Sequence, residues 1–113
     1  MIGGYVSSAI LAASGLAGIL IPDQIAPVLD TAFTSVRGRA ELRVVYGALA
    51  AIGGWAVAVA DHELFVAVGV FWLGAAGVRL LALALDRPRA DSTYWAFLAL
   101  EVVLGLVGVL GSS

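Results

Sequence analysis

The chain has 113 residues, of which 62% are hydrophobic and 12% are charged, and its formal net charge is −2. Soluble domains carry about 25% charged residues, so this chain has too few charges to cover a surface exposed to water. The composition excludes a soluble or disordered protein and a nucleic-acid binder, and the absence of cysteine excludes a disulfide scaffold. The remaining class is an integral membrane protein.

Four long apolar stretches predict four membrane helices, at about residues 3–21, 42–60, 64–85 and 94–110. Each is close to the roughly 20 residues that a helix needs to cross a bilayer core. The strands of a membrane β-barrel alternate apolar and polar residues, whereas these stretches are continuously apolar. The predicted fold class is therefore all-α, a single four-helix membrane bundle over residues 1–113.

The connection between the first two spans, residues 22–41, has a pattern of its own. Pro22 is expected to end the first helix, because proline cannot donate a hydrogen bond to the helix ladder. Beyond it, apolar residues fall at helical spacing: Val28, Leu29, Ala32, Phe33 and Val36. This pattern predicts a short amphipathic helix lying in the membrane interface, and the alternative is an irregular loop.

The two later connections are short and carry residues that cap helices. Asp61-His62-Glu63 has room only for a tight turn, so the second and third spans are predicted to form an antiparallel hairpin. Residues 86–93 join the third and fourth spans. Asp91, Ser92 or Thr93 there is expected to cap the fourth helix.

The distribution of basic residues predicts the orientation in the membrane. With four spans, the connections 22–41 and 86–93 share one side, and both termini share the other. All six basic residues lie on or near the first side: Arg37, Arg39, Arg43, Arg79, Arg87 and Arg89. By the positive-inside rule, we expect both connections in the cytoplasm and both termini outside.

Two charges fall well inside the predicted spans. Arg79 lies six residues before Leu85, and Glu101 lies seven residues after Tyr94, about 9 and 10 Å from the same membrane face. An unpaired charge at mid-membrane costs about 2.5–3.5 kcal/mol. We therefore expect Arg79 and Glu101 to form a salt bridge or to share a ligand, and a purely structural role for the pair stays open.

Small residues occur in a stripe on each span, which is typical of helix contacts in lipid. If the four stripes converge on one axis, Arg43 and Tyr46 approach the Arg79–Glu101 pair from the cytoplasmic end. Glu41 lies roughly opposite Arg43 on its helix. The candidate ligand-binding residues are therefore Glu41, Arg43, Tyr46, Arg79 and Glu101. We predict no cofactor and no metal site, since the chain has one histidine and no cysteine.

Two segments are similar to signatures of a bacterial family of small four-helix membrane proteins of unknown function, distantly like the DoxX group. They are Arg-Ala-Glu-Leu-Arg-Val-Val-Tyr-Gly at 39–47 and Gly-Val-Arg-Leu-Leu at 77–81, the latter followed by Asp86 and Glu101. Ala48 stands where such families often have glycine. The resemblance implies a bacterial plasma membrane and a four-helix bundle, but no activity.

These observations favour a non-enzymatic accessory protein that binds membrane lipid or a hydrophobic small molecule, since no catalytic constellation is present beyond the polar cluster. A homodimer or a membrane-protein partner is a further expectation, because glycine faces outnumber the needs of one interior. The alternatives are a small transporter that uses Glu101 and a membrane enzyme that acts on a lipid or quinone, with Glu41 or Glu101 as acid or base.

Overall fold

The computed structural model describes residues 2–88 and 90–111. These residues form five α-helices: α1 (Ile2–Leu20), α2 (Pro22–Val28), α3 (Val36–Val59), α4 (His62–Leu85) and α5 (Ser92–Leu110). Helices α1, α3, α4 and α5 are each long and apolar enough to cross a membrane. The predicted all-α class with four membrane helices is confirmed.

Polar side chains fix the start of the three later long helices. Ser35 Oγ accepts a hydrogen bond from the Gly38 amide at 3.1 Å. Asp61 accepts one from the Glu63 amide at 3.0 Å, and Asp91 accepts one from Tyr94 at 3.0 Å. Each bond satisfies an amide that has no partner inside its own helix. Asp91 is thus the cap among the three residues that the sequence proposed.

A short helix does lie in the connection between the first two spans, but it does not cover the apolar positions from Val28 to Val36 that indicated it. The short helix of this connection is α2, which ends at Val28, and residues 29–35 are not helical. Pro22 both follows the end of α1 and starts α2, because the first helical position needs no amide donor. Asp30 then takes a left-handed conformation with φ 55°, and α3 starts at Val36, six residues before the predicted Leu42.

Helix α1 lies at the centre of the arrangement. It packs against α3 on one side and against both α4 and α5 on the other, while α4 and α5 pack tightly together. Helix α3 packs mainly on α1 and touches α4 at few positions, although only Ala60 and Asp61 separate them in the chain. The four small-residue stripes therefore do not converge on one axis.

Close approach of the helices depends on glycines. A Cβ at Gly53 of α3 would lie 2.5 Å from the Ala12 amide nitrogen of α1. A Cβ at Gly69 of α4 would lie 2.7 Å from the backbone nitrogen of Val109 in α5. The neighbouring Gly54 has no atom within 4 Å of its Cβ position, whereas Tyr46 and Ala50 lie against glycines of α1. Helix α3 therefore contacts α1 through Tyr46, Ala50 and Gly53 and not through Gly54.

The core lies where α1, α4 and α5 meet. Leu11 and Phe65 are fully buried, and Trp72 and Leu104 are nearly so. The Trp72 indole nitrogen donates to the carbonyl of Ser7 at 3.2 Å, which satisfies the polar end of the ring and ties α4 to α1.

Candidate functional site

Arg79 and Glu101 form a two-pronged salt bridge between α4 and α5. Arg79 Nε donates to Glu101 Oε1 at 2.6 Å, and Nη2 donates to Oε2 at 3.2 Å. The Arg79 side chain is 23% exposed and the Glu101 side chain 9%. The predicted salt bridge is confirmed, and its paired geometry is the strong form of an arginine–carboxylate interaction.

The chain topology explains why the two charges meet. Arg79 lies six residues before the end of α4, and Glu101 lies nine residues after the start of α5. At 1.5 Å per residue these positions are about 9 and 14 Å from the connection between the helices. The long arginine side chain covers the difference in depth, because flexible side chains of this type extend along the helix surface.

Two aromatic rings of α5 flank the guanidinium. Its Cζ lies 5.0 Å from the centroid of the Tyr94 ring and 5.3 Å from that of Phe97. Both distances allow cation–π attraction. The Tyr94 hydroxyl also donates to the backbone carbonyl of Arg79 at 2.7 Å. Phe97 was not among the candidate residues, but its position three residues after Tyr94 and four before Glu101 places all three on one helix face.

An open groove adjoins the pair on the outer surface of α4 and α5. Its volume is about 620 Å³, and we call it the apolar groove. Phe71 and Val78 are 39% and 64% exposed, so the groove opens away from the protein core. Its lining combines apolar residues of α4 with the polar pair: Phe71, Gly74, Ala75, Val78, Arg79, Tyr94 and Glu101.

A second cavity, of about 520 Å³, lies where the connections meet α5. We call it the polar cavity, because Asp30, Asp91 and Thr93 are among its lining residues. Arg79 and Tyr94 line both this cavity and the apolar groove. These two side chains therefore stand between the two spaces.

The other three predicted site residues are placed elsewhere. Glu41 is exposed and lies 3.8 Å from Arg37, one helical turn earlier, and Arg43 is also exposed. The predicted approach of Arg43 to the pair is wrong, because α1 lies between α3 and the α4–α5 pair. Glu41, which was expected roughly opposite Arg43, also lies away from the pair.

Tyr46 is the one predicted residue of α3 that faces inward. A Cβ at Gly18 of α1 would overlap the Tyr46 ring, so this ring packs closely against α1. Tyr46 and Glu41 also line a third cavity of about 330 Å³, together with residues 31–34. The structure thus joins Arg79 with Glu101 and places Tyr46 against α1.

The fold and the site together define a class of protein. It is a helical bundle in which four helices are long and apolar enough to cross a membrane, and its buried ion pair borders an open groove. Within the described residues, no three His, Cys, Asp or Glu residues lie together in a way that could hold a metal ion. No protein-family model, no curated protein and no solved structure matches the chain.

Proposed function

We propose that this protein is a non-enzymatic, multi-pass membrane protein that binds a lipid or a hydrophobic small molecule at the Arg79–Glu101 pair. The observation that carries the proposal is that the pair borders an open groove with an apolar wall. Ligand sites commonly combine such a wall with a few polar groups that fix the ligand's orientation.

The hydrogen bonding of Arg79 supports a ligand role beyond helix packing. A guanidinium has five N–H donors, and Glu101 accepts from two of them. The Tyr94 side chain is a further hydrogen-bonding neighbour of the guanidinium, which leaves at least two N–H donors for another acceptor. A polar group left unpaired in an apolar environment costs free energy, so an acceptor oxygen of a ligand would stabilise this arrangement.

The same geometry argues against an acid–base role for Glu101. Both carboxylate oxygens accept from Arg79, and the side chain is largely buried. A proton carrier in a transporter, or a general acid or base in an enzyme, has to take up and release a proton. Protonation here would weaken the salt bridge that holds α4 and α5 together.

The proposal extends to location. We place the protein in the bacterial plasma membrane, with residues 22–41 and 86–93 in the cytoplasm and both termini outside. Support comes from the arginines of these connections, and the partner that we propose is membrane lipid. The resemblance to the DoxX-like group, and a homodimer, stay predictions.

Native mass spectrometry of protein released from lipid nanodiscs tests the proposal. Gly74→Leu fills the apolar groove, and a Cβ at Gly74 would meet no atom within 4 Å. Gly77→Leu is the matched control, because Gly77 lies on the same helix, is equally unobstructed and does not line the groove. We expect wild type and Gly77→Leu to retain a bound molecule and Gly74→Leu to lose it. Equal retention by all three proteins would contradict the proposal.

A further inference from the structure

We infer that one zwitterionic phospholipid spans both spaces, with its head group in the polar cavity and an acyl chain in the apolar groove. This inference rests on the proposed function and names the ligand class. Its starting point is that Arg79 and Tyr94 line both spaces, so a ligand that contacts this boundary can extend into each of them.

The polar cavity and the apolar groove are arranged in the same order as the head group and the acyl chain of a phospholipid. Pro88, Asp91 and Thr93 of the polar cavity belong to the helix connection or the first turn of α5. The groove runs from Arg79 back to Phe71 along α4, a distance of about 12 Å at 1.5 Å per residue. A head group at the membrane boundary and a chain directed toward the membrane centre fit this order.

The guanidinium of Arg79 suits a phosphate. Glu101 occupies one edge of the group, and the Tyr94 and Phe97 rings lie within cation–π distance of it. Donors remain on the rest of the guanidinium, and its planar geometry matches phosphate oxygens. Thr93 in the same cavity adds a hydroxyl that can donate to a phosphate or ester oxygen.

The charges around the polar cavity select the kind of head group. Arg79 and Glu101 together are neutral, and Asp30 and Asp91 contribute two carboxylates to the lining. Asp30 forms no salt bridge within the described residues. The carboxylates would repel a head group whose only charged group is a phosphate. In a zwitterionic head group, the ammonium beside the phosphate can lie near the carboxylates and offset this repulsion. Discrimination of this kind acts mainly by disfavouring the wrong ligand.

The experiment is a competition in nanodiscs that contain equal amounts of phosphatidylethanolamine and phosphatidylglycerol, with bound lipid counted by native mass spectrometry. One charge–charge interaction at about 4 Å in water corresponds to about fivefold in binding, so we expect about fivefold enrichment of phosphatidylethanolamine on the wild type.

Asp30→Asn should reduce the enrichment without reducing the total bound lipid. Asparagine tolerates the left-handed backbone at this position, so the variant keeps the fold. Asp23→Asn is the control, because Asp23 pairs with Arg39 at 2.9 Å and does not line the polar cavity. It should keep the preference.

Each other outcome has a distinct meaning. Equal binding of both lipids, or enrichment of phosphatidylglycerol, overturns the zwitterion inference but leaves the proposed function standing if Gly74→Leu still removes the bound lipid. An unchanged preference in Asp30→Asn also overturns it. Absence of any retained lipid on the wild type overturns both proposals.

Discussion

Replacing either Arg79 or Glu101 alone should destabilise the protein, and the loss should be larger when Arg79 is replaced. Arg79→Met leaves a short, largely buried carboxylate without a partner, and an unpaired charge inside a membrane costs about 2.5–3.5 kcal/mol. Glu101→Leu leaves an arginine that lies about 9 Å from the end of α4. Its long side chain can turn toward the membrane boundary, so we expect a loss of about 1–2 kcal/mol.

The double variant Arg79→Met/Glu101→Leu should be within about 1 kcal/mol of the wild type, because apolar replacement of both partners removes the buried charges together. The expected coupling energy is therefore about 4.5 kcal/mol, the sum of the two single losses, measured as a double-mutant cycle. Reversible unfolding in mixed detergent micelles gives the four free energies. It is followed by tryptophan fluorescence, to which the buried Trp72 contributes. Additive effects in the cycle, or a larger loss for Glu101→Leu than for Arg79→Met, would refute the reasoning.

Three further predictions concern packing and topology. Gly69→Ala should lower the unfolding free energy by about 2 kcal/mol, since its Cβ meets the backbone of α5, whereas Gly77→Ala, in open space, should be neutral or stabilising; equal thermal shifts would contradict this. Tyr94→Phe removes a hydrogen bond to α4 and should cost about 1 kcal/mol in denaturant unfolding; an unchanged midpoint would argue against that bond. Because the chain has no cysteine, Thr34→Cys should react with impermeant reagents only from the cytoplasm and His62→Cys only from outside; the reverse pattern would invert the proposed topology.

The membrane helices and the ion pair could be predicted because both follow from local constraints. A run of about 20 apolar residues fixes a span, and the depth of a charge follows from its distance to the end of that span. Arg79 and Glu101 have few alternatives, since an unpaired charge at that depth is costly and their helices are adjacent in the chain.

The packing of α3 could not be predicted, because it depends on which helix lies at the centre. Gly53 and Gly54 are equally small, and only the position of α1 decides that Gly53 is buried and Gly54 is not. The expectation that Arg43 would approach the Arg79–Glu101 pair failed for the same reason. One feature of the sequence could have indicated the central helix. Of the four long helices, α1 alone carries no charged residue, and a helix without charges is suited to the position most enclosed by other helices.

The start of α3 was misplaced because apolar periodicity competed with capping. Val28 to Val36 have helical spacing, but Ser35 supplies a cap that starts a new helix, and Val36 is 81% exposed. A serine followed by a helix-compatible run was the stronger local signal.

An experimental structure in lipid nanodiscs tests the central claim most directly, namely that the Arg79–Glu101 pair borders a ligand site. The account predicts elongated density along Gly74 and Val78 that reaches the guanidinium of Arg79. The claim would be contradicted if the salt bridge is intact, the protein's own side chains close the groove and no density lies beside it. The pair would then have a purely structural role.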